Sequence, residues 1–158
     1  MRVLVVDEDA TVLNTCCAWL IGAGYEVSTQ RTAGRLLSCI RHAQAEVALI
    51  EPLMNGLTSE ELSLLLASCR HAGAPSVILH SRLRPLLLRT VVDPAQARGV
   101  IRKTDDPEEF LRDFRALTAG VWQHRPTSVS PSPAVSGTHR IDTDGAQVIA
   151  LPSVGTRR

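Results

Sequence analysis

Five short apolar runs, separated by segments with helical periodicity, constrain this chain more than any other feature. The runs are Arg2–Val6, Tyr25–Thr29, Glu46–Ile50, Ser76–His80 and Gly99–Arg102. After the first run, Val12, Cys16, Trp19 and Leu20 recur at the i, i+4, i+7, i+8 spacing of a helix face. This alternation predicts an α/β fold of five βα units. Its sheet is parallel and doubly wound, with helices on both faces. Four of the runs stop at polar groups. Asp7, Glu8 and Asp9 follow the first, Glu51 the third, Ser81 the fourth and Lys103 the fifth. Parallel strands would bring these groups to one edge, where open α/β sheets place their sites. Acids, a hydroxyl and an amine would then meet, and the identity of residue 51 decides their chemistry.

Local signals place the helices. Gly22 and Gly24 end the first, and Asp9 is positioned to cap it. Thr32 is expected to cap a second helix with Leu36, Leu37 and Ile40 inward. Thr58 and Glu61 form a capping box ahead of Leu62, Leu65, Leu66 and Cys69. A weaker helix is expected over about 84–92, between Pro85 and Pro94. Asp106-Pro107-Glu108-Glu109 combines a cap, a proline at the first position and a glutamate at the third. Phe110, Phe114 and Leu117 mark that helix's inward face.

The composition bounds the rest. Hydrophobic residues make up 44% of 158, enough for a core, but aromatics are only 3%, so aliphatic side chains must fill it. Residues 1–121 carry 13 Lys and Arg against 14 Asp and Glu, a net −1. Residues 122–158 carry four against two, a net +2. A near-neutral folded part argues against nucleic acid as a main ligand. Cys16, Cys17, Cys39 and Cys69 lie in apolar patterns without paired metal-ligand spacing, which reads as free thiols in a reducing compartment. The apolar stretch before Asp7 is too short for a signal peptide, and no run approaches a membrane span. The expected location is the cytoplasm, with no membrane association. Pro126–Gly137 is mostly Pro, Ser, Thr and Val, so the expected organisation is a domain over 1–121 and a largely disordered tail over 122–158. Asp144-Gly145 could close a weak hairpin over 138–151.

Over about residues 1–120 the chain resembles a response-regulator receiver domain, a (βα)5 flavodoxin-like fold. Leu4-Val5-Val6-Asp7-Glu8-Asp9 is similar to that family's first-strand acidic pocket. Ile50-Glu51-Pro52-Leu53-Met54-Asn55-Gly56-Leu57 resembles its phosphoacceptor strand end and loop. Ile78-Leu79-His80-Ser81 resembles the strand that carries a switch hydroxyl, and Gly99-Val100-Ile101-Arg102-Lys103 the final strand and its lysine. The resemblance implies an acidic pair in Asp7 and Glu8, a phosphoacceptor equivalent in Glu51, and switch equivalents in Ser81, Val100 and Lys103. It implies Mg²⁺ among the acids, to offset charge during phosphoryl transfer. Lys103 is the only lysine, against 16 arginines.

Departures from the family pattern cluster around the acceptor. Glu51 stands at the aspartate position, and one more methylene carries its carboxylate about 1.5 Å outward. Misplacement on that scale is costly in group transfer. Pro52 lacks a backbone N–H beside the acceptor. Asn55 replaces a loop proline, Val100 a switching aromatic, and Thr104 the proline that often follows the lysine. The expected metal binding by Asp7, Glu8 and Glu51 is therefore weak or lost, with no other cofactor. Glu51 is long enough to pair with Lys103 or Ser81 without phosphorylation.

The expected function is that of an atypical, stand-alone response regulator, a pseudo-receiver that signals without aspartyl phosphorylation and is not an enzyme. In this reading Glu51 imitates the phosphorylated state. Protein partners, or a second copy of the chain, would dock through about 84–119 or the tail. Leu86, Leu87 and Leu88 are too apolar for one helix face, and part of that run is expected at a partner surface. His80 reads as a packing or solvent-facing residue rather than a base. Three alternatives stay open: a conventional phosphorylatable two-component receiver, a non-signalling scaffold, and a haloacid-dehalogenase-like phosphohydrolase with Asp7 as nucleophile. The last rests on Asp7-Glu8-Asp9-Ala10-Thr11 and lacks room for a final acidic motif after Lys103.

Overall fold

A computed structural model describes residues 1–71 and 74–119. The expectations for residues 122–158, including the hairpin over 138–151, lie outside the described residues.

The strands are β1 (Arg2–Val6), β2 (Glu26–Gln30), β3 (Val47–Ile50), β4 (Ser76–Ser81) and β5 (Gly99–Arg102). The helices are α1 (Ala10–Gly22), α2 (Leu36–His42), α3 (Ser59–Ser68), α4 (Pro85–Leu88) and α5 (Pro107–Thr118). All five strands pair in parallel, in the order β2-β1-β3-β4-β5. The five βα units therefore fold as the alternation predicts.

Strand periodicity divides the core in two. Leu4, Val6, Ala48, Ile50, Val77 and Leu79 pack with α2 and α3 through Leu36, Ile40, Leu62, Leu65 and Leu66. Val3, Val5, Val47, Leu49, Ile78 and Ile101 pack with α1 and α5 through Leu13, Cys16, Leu20, Phe110 and Phe114. Both faces of β1 and β3 are covered, which is why those strands read as continuous apolar runs. Among the described residues the aromatics are concentrated on the second face. Phe110 and Phe114 stack at 6.1 Å, Trp19 lies 5.4 Å from Phe110, and Tyr25 meets Phe114 edge-on at 5.3 Å. Gly99 opens β5 because a Cβ there would fall 2.5 Å from Leu117 Cδ2.

The capping signals hold at three helices. Asp9 accepts from the Thr11 and Val12 amides, Thr58 and Glu61 form the reciprocal box, and Asp106 accepts from the Glu108 and Glu109 amides. Two expectations need correction. Thr32 does not cap α2: its hydroxyl accepts from Gln30 Nε2 at 2.8 Å, and Arg35 holds the cap position at φ 57° without a side-chain bond. The helix expected over 84–92 is only Pro85–Leu88. Pro94 disfavours helical backbone at Asp93, which instead caps a short 3-10 turn, Pro94–Gln96.

Candidate functional site

The order reverses between β1 and β3, and this switch point of the carboxyl edge holds the polar groups. Ladder bonds continue one residue beyond the strands and fix the site's backbone. Asp7 N–H donates to Gln30 O at 3.1 Å, Glu51 N–H to Val6 O at 2.9 Å, and Lys103 N–H to Ser81 O at 3.0 Å. Three side chains from the ends of β1, β3 and β5, the last two flanking β4, therefore leave rigid positions on one edge.

They meet in one cluster. Lys103 Nζ lies 2.5 Å from Asp7 Oδ2 and 2.6 Å from Glu51 Oε2. Ser81 Oγ donates to Glu51 Oε1 at 3.2 Å, and the Leu53 amide donates to the same oxygen at 3.0 Å. Asp7 Oδ1 accepts the Asp9 amide at 3.0 Å. Both oxygens of each carboxylate are thus engaged, Asp7 Oδ2 by the lysine ion pair alone among the described residues. Asp7 is 1% exposed and Glu51 8%. Burying two carboxylates with one ammonium is tolerable because further donors complete the set. Burial would pull the Lys103 amine down. The hydrogen bonds and charges of Asp7 and Glu51 outweigh it and hold the amine above its ordinary range. Lys103 is therefore a fixed cation.

Glu8 does not join this cluster. It is exposed, and its Oε2 accepts from the Asn55 amide at 3.1 Å and Asn55 Nδ2 at 2.8 Å. The acidic pair implied by the resemblance is split: Asp7 points into the cluster, and Glu8 ties β1 to the loop after β3. Asn55 reads in the sequence only as the replacement of a loop proline. Nothing in its spacing connects it to position 8.

These placements bear on Mg²⁺. Among the described residues no group of three or more His, Cys, Asp or Glu side chains is disposed to hold a metal ion. The Lys103 ammonium stands between the Asp7 and Glu51 carboxylates, and the third acid is committed to Asn55. The residues as arranged do not fit a divalent cation.

The remaining expected positions surround the cluster. Ser81 is 1% exposed, and its oxygen also accepts the Leu83 amide at 3.3 Å, so it is held on both sides. Val100 packs against the α2–α3 core as an aliphatic residue. Thr104 Oγ1 donates to Glu109 Oε2 at 2.8 Å and accepts the Asp106 amide at 3.2 Å, which ties the chain after Lys103 to the start of α5. His80 is 3% exposed and meets Phe110 edge-on at 5.6 Å. Burial, aided by the Lys103 charge, pushes its pKa down to about 3, so the ring is neutral. Its packing role holds. Leu88 is fully buried, whereas Leu86 and Leu87 are 76% and 51% exposed. Among the described residues no helix is long and apolar enough to cross a membrane.

No protein-family model matches the chain, and no curated protein matches its sequence. Solved structures do. The chemotaxis response regulator CheY4 of Vibrio cholerae superposes with a TM-score of 0.61 at 21% identity, over 73% of this chain and 97% of that one. A response regulator described as putative, from Chloroflexus aurantiacus J-10-fl, gives 0.62 at 21% identity, over 75% and 97%. The signal receiver domain of the NarL response regulator from Mycobacterium tuberculosis gives 0.61 at 20% identity, over 75% and 96%. Each is aligned over nearly its whole length, and the chain has the fold of response-regulator receiver domains.

Proposed function

We propose that this chain is a receiver-type signalling module that works through protein–protein contacts without phosphorylation at residue 51. The observation that carries the reading is the engagement of Glu51. Its carboxylate already occupies the ammonium of Lys103, the hydroxyl of Ser81 and the amide of Leu53. In a phosphorylatable receiver, the resemblance implies, lysine and hydroxyl wait for a phosphoryl group. Here a side-chain carboxylate supplies the anion from within the chain. The donors have no unmet demand that a phosphoryl group would satisfy, and the lysine takes the place of a metal ion between the acids. Glu51 therefore imitates the phosphorylated arrangement in charge, and Val100 leaves no ring to report a change of state.

Output is then a matter of surface. Leu86 and Leu87 stand out from a helix of only four residues, within the 84–119 region expected to meet partners. Copies of the chain and other proteins are both candidates for that face. The reading is tested by isolating a partner with the full chain and measuring its affinity. Affinity should be unchanged by a small-molecule phosphodonor with Mg²⁺, and weakened by Glu51→Gln if the carboxylate imitates the active state. A partner that binds only after phosphodonor treatment would sink the proposal.

A further inference from the structure

A cavity of about 270 Å³ lies beside the cluster, with Lys103 in its lining. It opens between the first turns of α1 and the segment joining β5 to α5. Val12, Cys16 and Trp19 supply apolar lining, and His80 lies at its base. Asp9, Arg82, Arg102 and Asp105 stand around it with exposed charges.

His80 makes this more than a surface dimple. On the α1–α5 face of the sheet its neighbours are Ile78 and Ile101. An imidazole there needs a hydrogen-bond partner, which only the cavity's contents can supply. No hydrogen bond joins its ring to another described residue, nor is either ring nitrogen sealed from the cavity as an orphaned atom. A neutral imidazole thus presents one donor and one acceptor to the cavity. The Cys16 thiol beside it is pushed up to about 12, chiefly by burial, and acts as an apolar, unreactive wall.

The charges define the ligand class. Two guanidinium groups and two carboxylates face the opening. Lys103 is already committed to Asp7 and Glu51 and adds no free positive charge. A ligand with a single charge would meet as much repulsion as attraction. A ligand carrying both charges can place each against its opposite. The volume falls just below the roughly 300–1,000 Å³ of ordinary small-molecule pockets, so the ligand is small. Trp19 offers an indole surface for an apolar or aromatic group.

We infer that this cavity is a binding site for a small zwitterion, of which an α-amino acid with an apolar or aromatic side chain is the simplest class. Its carboxylate pairs with Arg82 and Arg102, and its ammonium with Asp9 and Asp105. The side chain lies against Trp19 and Cys16, with His80 beneath. The inference stands apart from the signalling reading, since neither Glu51 nor a phosphoryl group takes part.

The test uses the full chain carrying Trp122→Phe, which leaves Trp19 as the single tryptophan. L-Phenylalanine and L-leucine are titrated, with phenylacetate and phenethylamine as the anion-only and cation-only controls. Binding is followed by Trp19 fluorescence and by amide shifts in two-dimensional NMR. The expected result is saturable binding of an amino acid, with shifts centred on Thr15, Cys16, Arg82 and Thr104. Each single-charge control should bind about tenfold more weakly or worse, as expected for loss of a charged hydrogen-bonding group. Arg102→Gln and Asp105→Asn should each weaken binding by a similar factor while leaving the spectrum folded. Thr15→Phe should abolish it by filling the cavity. Equal binding of either control, or no saturation by any probe up to about 10 mM (a free energy of only a few kcal/mol), would overturn the proposal.

Discussion

The carboxyl ends of β1, β3 and β5 and the short helix α4 are built on opposite terms. At the strand ends the three clustered charges are held. Asp7, Glu51 and Lys103 are buried, mutually paired, and fixed by ladder bonds that extend past the strands. At α4 one leucine is anchored and two are not: Leu88 is fully buried, while Leu86 and Leu87 face outward. Helix α4 spans four residues and has no side-chain cap. A site that keeps its charges saturated has little reason to change on phosphorylation. A short helix with outward leucines has the means to meet a partner. In the proposed reading, chemistry and recognition occupy separate parts of one domain.

The strongest way to break the comparison is to remove the shared cation. Lys103→Met leaves two buried carboxylates without a counter-charge, and should cost about 3–5 kcal/mol in urea unfolding. A loss below about 1 kcal/mol would mean that the cluster is as wet and adaptable as a surface ion pair. Within α4, Leu88→Ala should cost about 2–5 kcal/mol, the range for a truncated core leucine.

Acid separates the two regions in another way. The folded protein keeps His80 neutral down to about pH 3, whereas an unfolded histidine takes up a proton near 6.5. Between those values the unfolded chain binds the additional proton. Stability from this group is therefore full above pH 6.5 and falls as the pH drops, by about 1.4 kcal/mol per unit once well below it. His80→Phe should remove that share of the acid sensitivity. Unfolding curves for both proteins at pH 7 and pH 5 provide the check, and equal slopes would show that the ring is protonated in the folded state. The smallest stability effect is expected at the outward leucines. Leu86→Ser with Leu87→Ser should change stability by no more than about 0.5 kcal/mol per site and reduce partner binding.

The sheet was legible because its evidence is local and repeated. Continuous runs such as Val3–Val6 and Val47–Ile50 reflect burial on both faces, and the caps at Asp9, Thr58 and Asp106 need only the next three residues. The ends of α2 and α4 were less legible. A threonine that could cap was taken by Gln30, and the chain leaves α4 after Leu88 in successive turns through Val92. At the site, the pairing of Glu51 with Lys103 and Ser81 followed from side-chain length and strand-end position. The turning of Glu8 toward Asn55 did not, because it depends on how a loop 47 residues away folds back over β1. The unpartnered ring of His80 was equally hidden, since its packing role could be read from an apolar strand but its open neighbour could not.

The most direct measurement concerns the carboxylate that replaces the acceptor. The full chain is incubated with a small-molecule phosphodonor and Mg²⁺, and its intact mass is followed beside that of a phosphorylatable receiver treated identically. A saturated Glu51 predicts no phosphoryl adduct on this chain while the control is modified. A stoichiometric, hydrolysable acyl phosphate mapped to Glu51 would contradict the account.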